Sequence, residues 1–445
     1  MKNKPAILGG EKVRTNPFPR RVTMGPEEKQ AVQEVMESDV LSAFFGSPGD
    51  LFLGGPKVKE FEKKWATQYG FKHAISINSW TSGLVIALGS VGIEPGDEVI
   101  CSSYTMSASA SCCFFYGAIP VFADVDPITY CIDPDSFERN ITPRTKAIIV
   151  VHLFGGIANM DRILEIAKKH NIKVIEDAAQ APGIFYKGKP VGALGDIGGF
   201  SLNYHKHIHT GEGGMLATNN DDIALKAQAI RNHGENIIDS LEGEDFSNFV
   251  GGNFRLTEIQ AAIGIAQLDK LDKYVLKRQE LASYFTDKMS QFGLFDMSQN
   301  DLCNNAYYVY PFKYDSLKVG LSRNLFIKAV QQEFIEPKDF EDTVFAGGYL
   351  KPLYLNPMYQ TKKVIGSRGF PFCLNPDVDY NYSKGLCPTA ERFYEKELIL
   401  SPIIREPLQT TDIDDIIMAV EKVMENVSEI RQAFPDVDDS ENDYV

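Results

Sequence analysis

The sequence predicts an α/β protein: a large domain on a doubly wound, mostly parallel mixed sheet, followed by a smaller C-terminal α+β domain. Three observations predict it. Through the first 270 residues, short apolar runs rich in β-branched residues alternate with segments of helical length. Those runs lack polar alternation, as strands covered on both faces do. Beyond them one long helical pattern leads into fewer and more mixed elements.

The expected strands are AISI (74–77), EVIC (98–101), PVFA (120–123), AIIVV (147–151) and KVIE (173–176), with a further strand ending near Ser201. Helical patterns run over Ser82–Ser90, Met106–Tyr116 and Met160–His170. Ligands of such sheets sit at the carboxyl ends of the strands. A long helix is expected from Arg255 to about Gln291, then a strand in YYVYPFKY (307–314), a helix over 323–334 and a closing helix in TDIDDIIMAVEKVMENVSEIRQ. We place the large domain at 1–270, with an N-terminal arm over about 1–25, and the small domain at 271–435. Within the latter, about 341–385 is rich in Gly, Pro, Tyr and Asn without a clean period, and reads as an insertion. The acidic tail 436–445 is expected to be disordered.

Composition excludes several function classes. Forty-five Lys and Arg against 60 Asp and Glu leave a net charge of −15, opposite to what a nucleic-acid or anionic-membrane surface needs. The stretch from Val99 to Ala123 carries no charge, yet its serines, Gly117 and Pro120 fit a strand, a turn and a buried helix better than a membrane span. Seven cysteines without a C-x-x-C pair, and no signal segment, read as reduced thiols of a cytoplasmic protein.

Chemistry concentrates in three segments. KVIEDAAQAPG brings Glu176 and Asp177 to a strand end; taken alone, Asp177 reads as a helix N-cap. GGFSLNYHKHIHTGEGGMLAT places Lys206 in a polar run between strands, among aromatics and a glycine turn. A lysine desolvated there can act as a Schiff-base nucleophile, although a lone lysine is usually a solvated charge. A carboxylate at one strand end and such a lysine near the next together point to pyridoxal phosphate. INSWTSGLVIAL supplies Thr81, Ser82 and Gly83 at a helix start, which suits a phosphate or, equally, a plain cap. His205, His207 and His209 form H-x-H-x-H, a weak zinc signal without cysteine or carboxylate support; no metal is expected, and the three read as lining a substrate mouth.

These segments sit in order with others (VKEFEKKWA, GDEVICSSYT, AIPVFADVD, VVHLFGG, GDIGGFSLNYHK, TGEGG, RNHG, GGNFRLTEIQAAIGIAQL and CPTAE). Over its whole length the chain resembles the DegT/DnrJ/StrS sugar aminotransferases, fold-type I pyridoxal-phosphate enzymes of the aspartate aminotransferase superfamily. The resemblance implies that Lys206 binds the cofactor aldehyde and shuttles protons. It implies Asp177 on the pyridine nitrogen, Gln180 on the phenolic oxygen, and Thr81, Ser82 and Ser201 on the phosphate. It implies that Asn253 reaches the phosphate from the neighbouring subunit, hence a homodimer with shared sites. Two positions depart from the family: Met106 stands where an aromatic usually stacks on the ring, and Trp80 replaces a small residue.

The implied reaction moves an amino group from L-glutamate or L-glutamine to a carbonyl of a nucleotide-linked keto-sugar, or of a sugar acid such as an octulosonate, in cell-surface polysaccharide synthesis (lipopolysaccharide among them). Rival readings are a keto-sugar 3-dehydratase, a cyclitol aminotransferase and a non-catalytic cofactor-binding regulator. Family dehydratases carry histidine at the lysine position. Counting back from GEGG puts Lys206, not His205, there.

Overall fold

The computed structural model describes residues 4–241, 246–297 and 305–435; the tail expected at 436–445 lies outside them. Its centre is a seven-stranded sheet of β1 (His73–Ile77), β2 (Glu98–Ser102), β3 (Ile119–Ala123), β4 (Thr145–Val151), β5 (Lys173–Asp177), β6 (Ile197–Ser201) and β7 (Gly214–Thr218). The spatial order is β1-β7-β6-β5-β4-β2-β3. Pairing is parallel from β6 through β3, and β7 runs antiparallel to both its neighbours.

Helices cover the sheet: α1 (Pro26–Ser38), α2 (Pro56–Tyr69), α3 (Trp80–Ser90), α4 (Met160–His170) and α5 (Asp221–Arg231). Each helix start uses the residue at hand. Pro26 and Pro56 pre-set φ in the first turns of α1 and α2, and Ser79, Asn159 and Asn220 accept backbone N–H bonds as N-caps. β4 shows why the strands read as apolar runs: only Lys146 of its seven residues is exposed.

The α6 helix (Glu258–Ser290) opens with a capping box between Thr257 and Gln260 and reaches a second core. That core lies between the end of α6, α7 (Arg323–Gln331), α8 (Thr410–Met424) and an antiparallel sheet ordered β8-β10-β9. Its strands are β8 (Tyr310–Lys313), β9 (Ala346–Gly347) and β10 (Leu398–Ser401). Among the described residues no helix is long and apolar enough to cross a membrane. The uncharged stretch 99–123 instead holds β2, short helical turns and β3.

The period-less segment after Glu341 turns back onto the large sheet. Tyr354, Tyr359, Phe372, Tyr380 and Tyr382 join the first core. Tyr382 donates to the Pro120 carbonyl at 2.7 Å, and Tyr380 donates to the buried Glu98 at 2.8 Å.

Candidate active site

Three adjacent parallel strands end at Val151, Asp177 and Ser201, and all three residues line one cavity of about 200 Å³. Trp80 and Thr81 from the start of α3, Thr105, Met106, Ala108 and Ser109 after β2, and Tyr308 and Tyr349 from distant chain add to the wall. It is the strand-end crevice that parallel sheets leave open.

Strand alternation sends the last two residues of β5 to opposite faces. Glu176 is fully buried, accepting from His152 Nε2 at 3.0 Å and from the backbone nitrogens of Gly192 (2.9 Å) and Gly195 (2.8 Å). It ties down the loop beneath the site. Asp177 faces the cavity, and its carboxylate is held from three directions. Oδ1 accepts from Trp80 Nε1 at 2.7 Å and from the Ala179 backbone at 3.2 Å, while Oδ2 accepts from Ser109 Oγ at 2.7 Å. Three donors and near-complete burial fix the orientation of a charge that would otherwise be costly there.

Lys206 lies in the loop that leaves β6 and returns as β7. The loop closes through Leu202 N to Gly213 O (2.9 Å) and Thr210 N to Leu202 O (3.0 Å), with Gly211 at φ +82°. The Arg21 guanidinium grips it from outside, donating to the carbonyls of Lys206 and His207. The amine points inward, 8% exposed, 4.2 Å from the centroid of the Tyr308 ring. Burial pushes it down from 10.5 to about 8, against the opposing pull of the Asp177 charge. Such an amine yields its proton far more readily than a solvated lysine.

At the other end, Ser79 caps α3, accepting from Ser82 N (3.1 Å) and sharing a 2.9 Å bond with the Ser82 hydroxyl. Thr81 is exposed and lines the cavity with Ser201; Ser82 is engaged with the cap and lies outside the lining. A Cβ at Gly214 would come 2.9 Å from the Trp80 backbone nitrogen, so the bare glycine keeps that helix start open. Gln180 accepts from Phe154 N (2.6 Å) and donates to Tyr349 OH (3.2 Å). Met106 lines the cavity half-exposed, its sulfur accepting from Ala108 N at 3.1 Å.

Other expected residues lie apart. Asn253 is exposed, outside the cavity lining, and accepts from Arg255 Nε at 2.7 Å. Of the three histidines only His205 lines the cavity; burial, with the Lys206 charge beside it, pushes it down to about 4. His207 and His209 do not line a substrate mouth. His207 is wholly buried with Nε2 on the Ala306 carbonyl at 2.8 Å, and His209 meets Thr23 Oγ1 at 2.9 Å. The irregular loop sends their rings behind the cavity wall, where apolar packing and Thr23 receive them.

Sequence reasoning missed Ser109, Tyr308 and Tyr349. Ser109 stood in a serine-rich stretch without a distinguishing mark, and both tyrosines arrive from more than 100 residues away. A second cavity of about 220 Å³ shares His205 and Tyr308 with the first and contains Arg278 and Arg405, the latter paired with Glu341 at 2.9 Å.

Residues 23–421 match the model of the DegT/DnrJ/EryC1/StrS aminotransferase family. The spore coat polysaccharide biosynthesis protein SpsC of Bacillus subtilis (strain 168) is 33% identical, covering 90% of this chain and 95% of its own. GDP-perosamine synthase of Caulobacter vibrioides (strain ATCC 19089 / CIP 103742 / CB 15) is 47% identical over 54% of this chain and 63% of its own. The crystal structure of an aminotransferase from Psychrobacter cryohalolentis superposes with a TM-score of 0.77 at 28% identity, covering 93% of this chain and all of that one.

The donor set suits pyridoxal phosphate. A desolvated amine, a buried carboxylate and a helix start kept open by Gly214 face one cavity, matching in turn an aldehyde, a protonated ring nitrogen and a phosphate.

Proposed function

Since the chain belongs to the DegT/DnrJ/EryC1/StrS aminotransferase family, we propose that it moves the amino group of L-glutamate or L-glutamine to a carbonyl of a sugar. The protein is a pyridoxal-phosphate-dependent aminotransferase with the fold-type I architecture. A nucleotide-linked keto-sugar is the favoured acceptor, a reading supported by the relative named GDP-perosamine synthase. The product would serve cell-surface polysaccharide synthesis in the cytoplasm, lipopolysaccharide included; the relative named for spore coat polysaccharide supports the wider class. The enzyme would work as a homodimer in which Asn253 of the partner subunit completes each phosphate site.

Lys206, Asp177, Gln180, Thr81 and Ser201 would hold the cofactor, with Met106 against its ring. When bound, it supplies an aldehyde for the lysine and a ring that accepts the electron pair released at the donor's Cα. Asp177 keeps the ring nitrogen protonated. The Lys206 amine, which burial makes readier to give up its proton than a solvated lysine, would take the proton from the donor's Cα and later deliver one to the acceptor carbon. Trp80, Tyr308 and Tyr349 enclose that transfer and keep bulk water away. Arg405, in the adjoining cavity, would meet an anionic group of donor or acceptor by giving up its pairing with Glu341.

The observation that carries this reading is the burial of Lys206 and Asp177 in one strand-end cavity. Borohydride reduction of the yellow holoprotein followed by peptide mapping should tag residue 206. Donor labelled with ¹⁵N should then pass its nitrogen to a keto-sugar in a panel of nucleotide sugars, sugar acids and cyclitol ketones, read by mass. A tag elsewhere would refute the lysine assignment. Transfer to cyclitols alone, or to nothing in the panel, would refute the sugar.

A further inference from the structure

We propose that Trp80 is a positioning residue for Asp177, its indole N–H aiming the carboxylate into the cavity before any cofactor arrives. This deepens the reading above and rests on Asp177 meeting the ring nitrogen. The bond is short (Nε1 to Oδ1, 2.7 Å), buried on both sides, and made to a charge.

The surroundings are shaped for this ring. A Cβ on Gly83 would lie 2.5 Å from the six-membered part of the indole, and one on Gly199 would lie 2.3 Å from it. Gly199 is also the residue opposite Asp177 in the β5–β6 register. The ring therefore lies across a bare patch of β6 and reaches the end of β5. Trp80 is moreover the first residue of α3 and precedes Thr81. One helix start thus supplies both the donor that holds the carboxylate and a hydroxyl of the cavity wall.

The test has an apoprotein arm and a holoprotein arm. The chain holds two tryptophans, and Trp65 Nε1 is buried without a hydrogen-bond partner. With ¹⁵N-labelled indoles the apoprotein should give two resonances, of which Asp177→Asn moves only the one belonging to Trp80. Trp80→Phe assigns that resonance by its loss; should this variant not fold, Trp65→Phe assigns it by elimination. In the holoprotein, losing a hydrogen bond to a charged group should raise the dissociation constant for pyridoxal phosphate about tenfold. Trp80→Phe should also move the pH midpoint of the cofactor's visible absorbance, because the ring nitrogen's partner loses one of its two side-chain donors and keeps only Ser109 Oγ and the Ala179 backbone.

An indole resonance indifferent to Asp177→Asn overturns the proposal. So does an unmoved midpoint in Trp80→Phe, even with weakened binding, since that is what loss of packing alone would do. A wild-type protein with no visible cofactor band would instead defeat the cofactor assignment on which the proposal stands.

Discussion

The Lys206 ammonium has Tyr308 on one side and the Asp177 charge within reach, and still burial dominates, bringing it down from 10.5 to about 8. The consequence for the apoprotein has a definite sign. Between about pH 8 and 10.5 the unfolded chain keeps a proton that the folded chain has released, so stability rises with pH across that window. Below it both states are protonated and the folded state bears the whole cost, on the order of 3 kcal/mol. Lys206→Met apoprotein should therefore be the more stable at pH 7, with the gap closing as pH approaches 10.5. Urea denaturation of both proteins at several pH values measures it, and a gap independent of pH would mean the amine is not desolvated. At this scale the sequence revealed residues whose neighbours in the chain define a strand end or a tight turn. Asp177 and Lys206 belong to that group, whereas Gln180 and the phosphate role of Ser201 enter only through the family resemblance. It could not reveal Ser109, Tyr308 or Tyr349, which owe their place to folding over long separations. Nor could it tell His205 from His207, because a loop without a period assigns no face to its side chains.

Among the elements, β1 to β5 were legible because each carries a short, mostly apolar run at its centre, as burial on both faces of the sheet requires. Helix ends were less so. The closing helix read from TDIDDIIMAVEKVMENVSEIRQ is in fact two, α8 ending at Met424 and a short helix from Val427, with Asn426 between them in a non-helical conformation. Residues 106–116, read as one helix, form a short α-helix and a 3-10 turn that stops at Gly117 in the left-handed region. The segment 341–385 was opaque because its order comes from docking on the large sheet. Glu98 shows how: it is buried, and accepts from Tyr380 OH (2.8 Å), Arg144 Nε (2.9 Å) and Thr142 Oγ1 (2.5 Å), while Asn375 donates to Tyr380 OH at 2.7 Å. Tyr380→Phe deprives both Glu98 and Asn375 of a partner and should cost about 1–3 kcal/mol in urea denaturation. Nitrogen transfer should be unchanged, since Glu98 starts β2 at the end of the sheet away from the cavity. A large loss of activity would instead tie this segment to the site. In β6, Gly199→Ala would press a methyl against the Trp80 ring and the Met215 carbonyl, each 2.3 Å from its position. A loss of about 1–3 kcal/mol or more is expected by calorimetry or urea titration, together with the displaced indole resonance that a shifted Trp80 would give.

In the molecule as a whole, the two cores and the N-terminal segment meet at one carboxylate. Glu406 pairs with Arg21 Nε at 3.2 Å and with Arg278 Nε at 3.2 Å, the first guanidinium from the N-terminal segment and the second from the middle of α6. Both are nearly buried, and each spends its remaining N–H groups on backbone: Arg278 on the Tyr307 and Tyr308 carbonyls, Arg21 on those of Lys206 and His207. Burial, with Arg278 beside it, lowers Arg21 to about 10 even though Glu406 pulls the other way. Removing the carboxylate leaves two buried cations facing one another, a loss that in buried pairs runs to roughly 3–5 kcal/mol. Glu406→Ala should show a drop of that size in denaturant midpoint at unchanged slope. Glu406→Gln, which keeps hydrogen-bond acceptance without the charge, should fall between it and wild type. The damage should not stay local. Arg21 is the clamp on the loop that carries Lys206, so backbone amides from 204 to 210 should exchange faster with deuterium in Glu406→Ala, and those of β4 should not. Equal exchange in the two segments would mean that the loop is held by its own closure through Leu202, Thr210 and Gly213, and that Glu406 joins the cores without reaching the site.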